Sequence, residues 1–184
     1  MDPIQQLLAK QEIAEVLYRH ARAGDRSDAE LAHACYHAGA TERHGEFDGL
    51  AAKVIDALSS TRPKPGSPTE GMVHAVTNIL TEFDDDLHAF VESYYVAWCQ
   101  MTDGVDATIG GRYLDKFEKR DGRWAIVHRD VIFDWSRAEP ETAKFWEEHP
   151  AAPHLYGKLG ESDPLYIYTH RGPEGTHSPG KIAS

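Results

Sequence analysis

Three titratable or charged side chains stand in apolar company, and their types suit proton transfer. Met72, His74, Val76, Asn78 and Leu80 alternate along one stretch, so on a strand they share a face and the imidazole lies among apolar neighbours. Such a ring is either a core histidine satisfied by a backbone carbonyl or a base suited to neutral pH. Arg129 sits in a similar row with Ala125, Val127, Val131, Phe133 and Trp135. A guanidinium keeps its charge, so burying it requires either a carboxylate, with Asp25 and Glu92 the candidates, or an anionic ligand. Tyr113 shares its strand face with Gly111, Asp115 and Phe117, and offers either a phenol to a cavity or ordinary aromatic packing. His20 extends the inward stripe of Val16 and Leu17, and Asp25 follows Gly24, where it could simply cap a second helix. His33, His37 and His44 have metal-ligand spacing. No His-Glu-x-x-His pattern and no obvious carboxylate completes the set, so a solvated or interfacial face is expected and no metal.

The elements that must position these residues are legible in outline. Asp2-Pro3 opens a helix, and Ile4, Leu7, Leu8, Ile13, Val16, Leu17 and Ala21 recur at helical spacing through Ala23. Gly24 predicts a break, followed by a second helix from Ala29 to His37 with Ser27 or Asp28 as its cap. A short strand from Thr41 to Phe47 and a third helix from Leu50 to Leu58 come next. The proline-rich run from Arg62 to Pro68 predicts a loop. From Gly71 the period changes to two, predicting strands Met72 to Phe83, Leu87 to Met101, Asp106 to Arg120 and Trp124 to Trp135. Asp84-Asp85-Asp86 and Asp121-Gly122 are hairpin signals, so the sheet is expected to be an antiparallel meander. Helices first and strands afterwards predict an α+β fold with helices on a concave sheet face. The domain is expected over residues 1–137. Residues 138–184 are expected to form an extension, helical over Pro140 to His149 and carrying Trp146, Tyr156, Tyr166 and Tyr168.

The 184 residues, 41% hydrophobic, can bury one good core. A net charge of −11 argues against nucleic acid and anionic membranes, whose binding needs clustered Lys and Arg. The first twenty residues lack a basic start and an unbroken apolar run, so a cytoplasmic protein without a signal peptide is expected. Cys35 and Cys99 lack partners at metal or redox spacing and read as buried thiols.

In order, Ile13 to Arg26, His44-Gly45-Glu46-Phe47, Val73 to Asn78, and Asp121 to Arg129 resemble the SnoaL-like branch of the nuclear transport factor 2-like superfamily. The resemblance spans about Leu7 to Trp135 and implies a cone-shaped α+β barrel, a curved antiparallel sheet covered by N-terminal helices. Within the superfamily the chain is similar to a group containing scytalone dehydratase, hexachlorocyclohexane dehydrochlorinase and the bile-acid 7α-dehydratase. That likeness implies a strand histidine acting as base, here His74, oriented by an aspartate after the first helix, here Asp25. It places the last-strand arginine on Arg129, and a polar residue before the aspartate on His20, where relatives carry lysine or tyrosine. The stretch His37-Ala38-Gly39-Ala40 departs from the group in lacking an acidic residue.

Elimination next to an acidic C–H needs a base near neutrality, a partner that holds its tautomer, and a group to receive the leaving anion. On this reading His74 is the base and Asp25 its orienting carboxylate. Arg129 or His20 stabilises the departing or enolate oxygen, and Tyr113, Asn78, Tyr18 and Met72 bind the substrate. The expected function is a cofactor-independent lyase or isomerase, dehydratase-like, acting on a small apolar cyclic compound. A polyketide-type cyclase is one alternative. A non-catalytic ligand-binding or assembly subunit, like the small subunits of ring-hydroxylating dioxygenases, is another. The resemblance also implies a homo-oligomer, a trimer ahead of a dimer.

Overall fold

The computed structural model describes residues 1–61, 69–101 and 104–140, all within one compact unit, Met1–Thr142. Three helices precede or interrupt six strands: α1 (Pro3–Arg26), α2 (Ala29–Ala34), β1 (Tyr36–His44), β2 (Phe47–Leu50), α3 (Ala51–Thr61), β3 (Thr69–Phe83), β4 (His88–Met101), β5 (Val105–Arg120) and β6 (Arg123–Pro140). The strands form one sheet in the order β2-β1-β6-β5-β4-β3. This is the expected α+β architecture, a curved sheet with helices on its concave side. The loop expected at residues 62–68 and the helix and aromatic tail expected beyond Pro140 lie outside the described residues.

Local chemistry accounts for the helix ends. Asp2 caps α1 by accepting the Gln5 N–H at 2.8 Å, the Gln5 side chain reaches back to the Asp2 N–H, and Pro3 occupies the first turn. The buried stripe begins at Ala9 and continues through Ile13, Val16 and Leu17; Ile4, Leu7 and Leu8 are exposed. Gly24 does not break α1, which runs on to Arg26 and closes on Ser27 in the left-handed conformation, φ 56°. Asp28 caps α2 through the Leu31 N–H at 2.8 Å. Asp25 is therefore a residue of the last turn of α1, with its carboxylate directed elsewhere.

The meander from β3 to β6 is antiparallel, as the turns predict, and Asp121-Gly122 supplies positive φ at both turn positions, 52° and 79°. The sheet as a whole is mixed, because β1 pairs with β6 in parallel. That pairing takes β1 from Tyr36, inside the stretch expected to be helical, so His37 lies on a strand and loses its helical spacing to His33. His33 meets Asp56 at 3.0 Å, while His37 Nε2 lies 3.0 Å from the Glu118 carbonyl.

Bulges re-phase two strands. The β3–β4 register slips between Thr77 and Leu80, where Asn78 adopts φ 49°. His74 faces inward before the bulge, and Thr81 is buried after it, while Asn78 and Leu80 are exposed. The β5–β6 register slips at Lys116/Phe117, so buried Ile126 opposes Phe117 while Arg129 still opposes Asp115.

The main core gathers Ile13, Leu17, Leu31, Ile55, Val91, Phe117, Trp124 and Ile126 between helices and sheet. A second cluster of Tyr95, Ala97, Tyr113 and Val131 continues it along the sheet. Cys35 and Cys99 are both buried. No helix among the described residues is long and apolar enough to cross a membrane.

Candidate functional site

Five elements build the site, because α1, β1, β3, β5 and β6 each present a polar side chain to the same small space. It is lined by His20, Ala21 and Gly24 of α1, Glu42 and His44 of β1, His74 of β3, Tyr113 of β5, and Arg129 and Val131 of β6. The cavity has a volume of about 20 Å³, room for about one water molecule. This lining is dominated by ionisable groups. The physical reason is that the strand faces contributing to it carry Glu42, His44 and Arg129 at alternating inward positions.

His74 and Asp25 meet here. Nδ1 of His74 lies 2.6 Å from Oδ1 of Asp25, and the two side chains are 16% and 12% exposed. A carboxylate only accepts, so the ring proton sits on Nδ1 and the lone pair on Nε2. The last turn of α1, held by the Ser27 and Asp28 caps, carries the carboxylate across to β3.

Arg129 is 1% exposed, and its partner is Asp115, not Asp25 or Glu92 as the sequence suggested. Its Nε and Nη2 donate to the two Asp115 oxygens at 2.7 and 2.8 Å, and the guanidinium lies 4.2 Å from the centroid of the Tyr113 ring. Glu92 pairs instead with Arg112 at 3.2 Å. Burial raises the Asp115 carboxyl above its ordinary value, with the charge and hydrogen bonds of Arg129 opposing the rise. Tyr113 stacks on Tyr95 with ring centroids 4.5 Å apart, and burial pushes its phenol well above the ordinary range.

From Arg129 a chain of hydrogen bonds runs in one direction. Nη1 donates to Nδ1 of His20 at 2.9 Å, which leaves the His20 proton on Nε2, 3.2 Å from the Tyr36 hydroxyl. Tyr36 donates to Oε2 of Glu42 at 2.6 Å, and Nδ1 of His44 lies 3.0 Å from Oε1 of the same carboxylate. Glu42 is 2% exposed; burial alone would raise its pKa, but His44, Arg129 and Tyr36 outweigh it and hold the carboxyl below its ordinary value. Burial, together with Glu42, holds the Tyr36 phenol well above its ordinary range against the pull of Arg129.

The other expected binding residues lie outside this lining. Tyr18 is exposed on α1, Asn78 is exposed at the β3 bulge, and Met72 is half-buried on β3 beyond His74. Conversely, sequence reasoning missed Tyr36, Glu42 and the placement of His44. The available signal was the i, i+2 spacing of Glu42 and His44, which puts a carboxylate and an imidazole on one strand face. Among the described residues no group of three or more His, Cys, Asp or Glu is gathered as a metal site.

Solved structures share this fold. A scytalone dehydratase-like protein of Novosphingobium aromaticivorans aligns at TM-score 0.63 and 19% identity, covering 76% of this chain and 97% of its own. A hexachlorocyclohexane dehydrochlorinase of Novosphingobium barchaimii aligns at TM-score 0.68 and 14% identity, covering 77% and 98%. A second dehydrochlorinase of that kind aligns at TM-score 0.69 and 14% identity, covering 77% and 97%. At these identities the likeness shows the fold. No curated protein matches the sequence. The SnoaL-like domain model, however, matches residues 5–130, the stretch that contains every residue of the cavity lining except Val131, and the chain belongs to the SnoaL-like family.

Proposed function

We propose that this chain is a cofactor-independent lyase or isomerase of dehydratase type, acting on a small cyclic compound with an acidic C–H. The observation that carries the reading is the 2.6 Å contact between His74 and Asp25 at the wall of a cavity. Nε2 of His74 takes the proton from carbon, and Asp25 holds the opposite N–H and stabilises the imidazolium. The enolate so formed expels a β-substituent in a lyase or recovers the proton at another carbon in an isomerase. A polyketide-type cyclase would use the same base to drive aldol closure.

A second reading, a ligand-binding or assembly subunit, is favoured by the size of the cavity, which holds a water or a hydroxyl and not a ring. A ring-sized substrate therefore requires the surrounding side chains to make room. The oligomer expected from the sequence, a trimer ahead of a dimer, is supported by exposed Val73, Tyr94 and Val96 on β3 and β4, and sedimentation of the full chain tests it.

The test of the catalytic reading uses cyclic β-hydroxy ketones, whose elimination gives a conjugated enone seen by ultraviolet absorbance. Turnover by wild type, with a loss of about 10²- to 10⁴-fold in His74→Ala and in Asp25→Asn, is the expected result. Variants as active as wild type overturn the base assignment, and ketone binding without turnover favours the second reading.

A further inference from the structure

The cavity has a second histidine–carboxylate pair in its wall, and the reading above uses only one. Glu42 and His44 alternate along β1 so that both face inward beside Arg129, and His74 lines the same small space from β3. The carboxylate of Glu42 receives Nδ1 of His44 on one oxygen and the Tyr36 hydroxyl on the other. With Nδ1 committed to Glu42, the nitrogen His44 can offer a ligand is Nε2. The His44 ring packs at 5.8 Å from that of Phe133 and its side chain is 27% exposed, so it can exchange protons with solvent.

The leaving group decides whether such a second pair is needed. Hydroxide is a poor leaving group and departs readily only when it takes up a proton as the C–O bond breaks, whereas halide or an electron-poor phenoxide departs unaided. A leaving anion, by contrast, needs an uncommitted cation. The charge of Arg129 is already matched by the buried Asp115 carboxylate, which takes Nε and Nη2, while Nη1 donates to His20. The site is thus better equipped to deliver a proton than to receive an anion.

Resting on His74 as base, we propose that His44, in its imidazolium form, is the general acid of the reaction, positioned by Glu42 through Nδ1, and that the group eliminated is a hydroxyl. Nε2 of His74 takes the carbon proton, and the C–H electron pair forms the new double bond by way of the enolate. The C–O bond breaks and its oxygen takes the Nε2 proton of His44, leaving as water. His74 ends protonated and His44 neutral, and solvent returns the proton from one to the other. Nothing is oxidised or reduced. The cavity, sized for one water and bordered by both rings, is where the product water would form.

Two matched probes test this: 3-hydroxycyclohexanone, and 3-(4-nitrophenoxy)cyclohexanone, whose leaving group needs no acid. His44→Gln is expected to lose about 10²- to 10⁴-fold on the hydroxyl ketone and to stay within about threefold of wild type on the nitrophenoxy ketone. Glu42→Gln, which acts through His44, is expected to show the same selectivity to a smaller degree. His74→Gln is expected to lose both reactions. The nitrophenoxy reaction also reports folding, and His44→Asn provides a second variant should His44→Gln be unstable. Equal losses on the two probes, or none on either, overturn the role of His44 while leaving the base reading intact. A wild type that eliminates nitrophenoxide in a His74-dependent manner but never hydroxyl does the same. A wild type inert to both ketones overturns the base reading and this inference with it.

Discussion

Asp115 on β5 and Arg129 on β6 face each other across paired strands and make two parallel hydrogen bonds, with neither side chain more than 1% exposed. Removing one partner leaves the other charge in the core. Asp115→Asn is expected to destabilise by about 3–5 kcal/mol, read from urea unfolding at neutral pH. Replacing both, as Arg129→Met with Asp115→Leu, is expected to recover most of that loss, because the cost lies in the unpaired charge. A single variant as stable as wild type would show that the pair is solvated.

Acid should lower the stability of the protein in two pH windows. Burial lowers the folded-state pKa of His37 below 6.5, opposed by its bond to the Glu118 carbonyl and reinforced by Arg123. The unfolded chain then binds the proton first, so stability falls as pH drops through about 6.5. Glu42 has a folded value lowered from 4.5, so its contribution is present above 4.5 and lost as pH falls below it. Thermal melts across this range are expected to fall in both windows. His37→Gln should flatten the upper step and Glu42→Gln the lower one.

Gly111 is expected to tolerate no side chain. A Cβ there would stand 1.9 Å from the Ile132 carbonyl oxygen and 2.8 Å from the Tyr95 hydroxyl, at the β5–β6 bulge. The backbone oxygen cannot step aside, so Gly111→Ala should cost about 3 kcal/mol or more. At neighbouring Gly110 the atoms nearest to a Cβ all belong to the Trp135 indole, the first at 2.2 Å, and that side chain is half exposed and can swing outward. Gly110→Ala should therefore be the milder variant, a ranking that calorimetry of the two would check.

Asn78 is a backbone residue in its effect. Its φ of 49° lies in the left-handed region, where Asn and Gly are tolerated and a β-branched residue is not. Asn78→Gly should leave stability nearly unchanged, whereas Asn78→Val should lose about 1–2 kcal/mol. Turnover by Asn78→Gly is expected to match wild type; a specific loss of turnover would return Asn78 to the substrate site.

The readable parts of the fold were those set by short-range chemistry. Asp2-Pro3 and Gln5 announce the start of α1, Asp121-Gly122 announces a two-residue hairpin, and alternation from Met72 onward announces the strands. His74, Arg129 and Tyr113 stood out because a polar group in an apolar row is conspicuous without any tertiary knowledge. Tyr36 and Glu42 gave no such warning, since their neighbours in sequence are themselves polar or small. Gly24 misled because a glycine packed inside a helix and a glycine ending one look alike in the sequence.

By itself, then, the sequence determined an α+β chain of helices followed by a meander, and the residue types available for proton transfer. Periodicity and turn propensity act over a few residues and are written locally. The tertiary structure alone decided who meets whom: Arg129 takes Asp115, β1 joins β6 in parallel, and Glu42 comes to hold His44 beside His74. Such choices depend on bulges that shift a strand by one residue, and one residue is enough to turn a side chain from solvent to core.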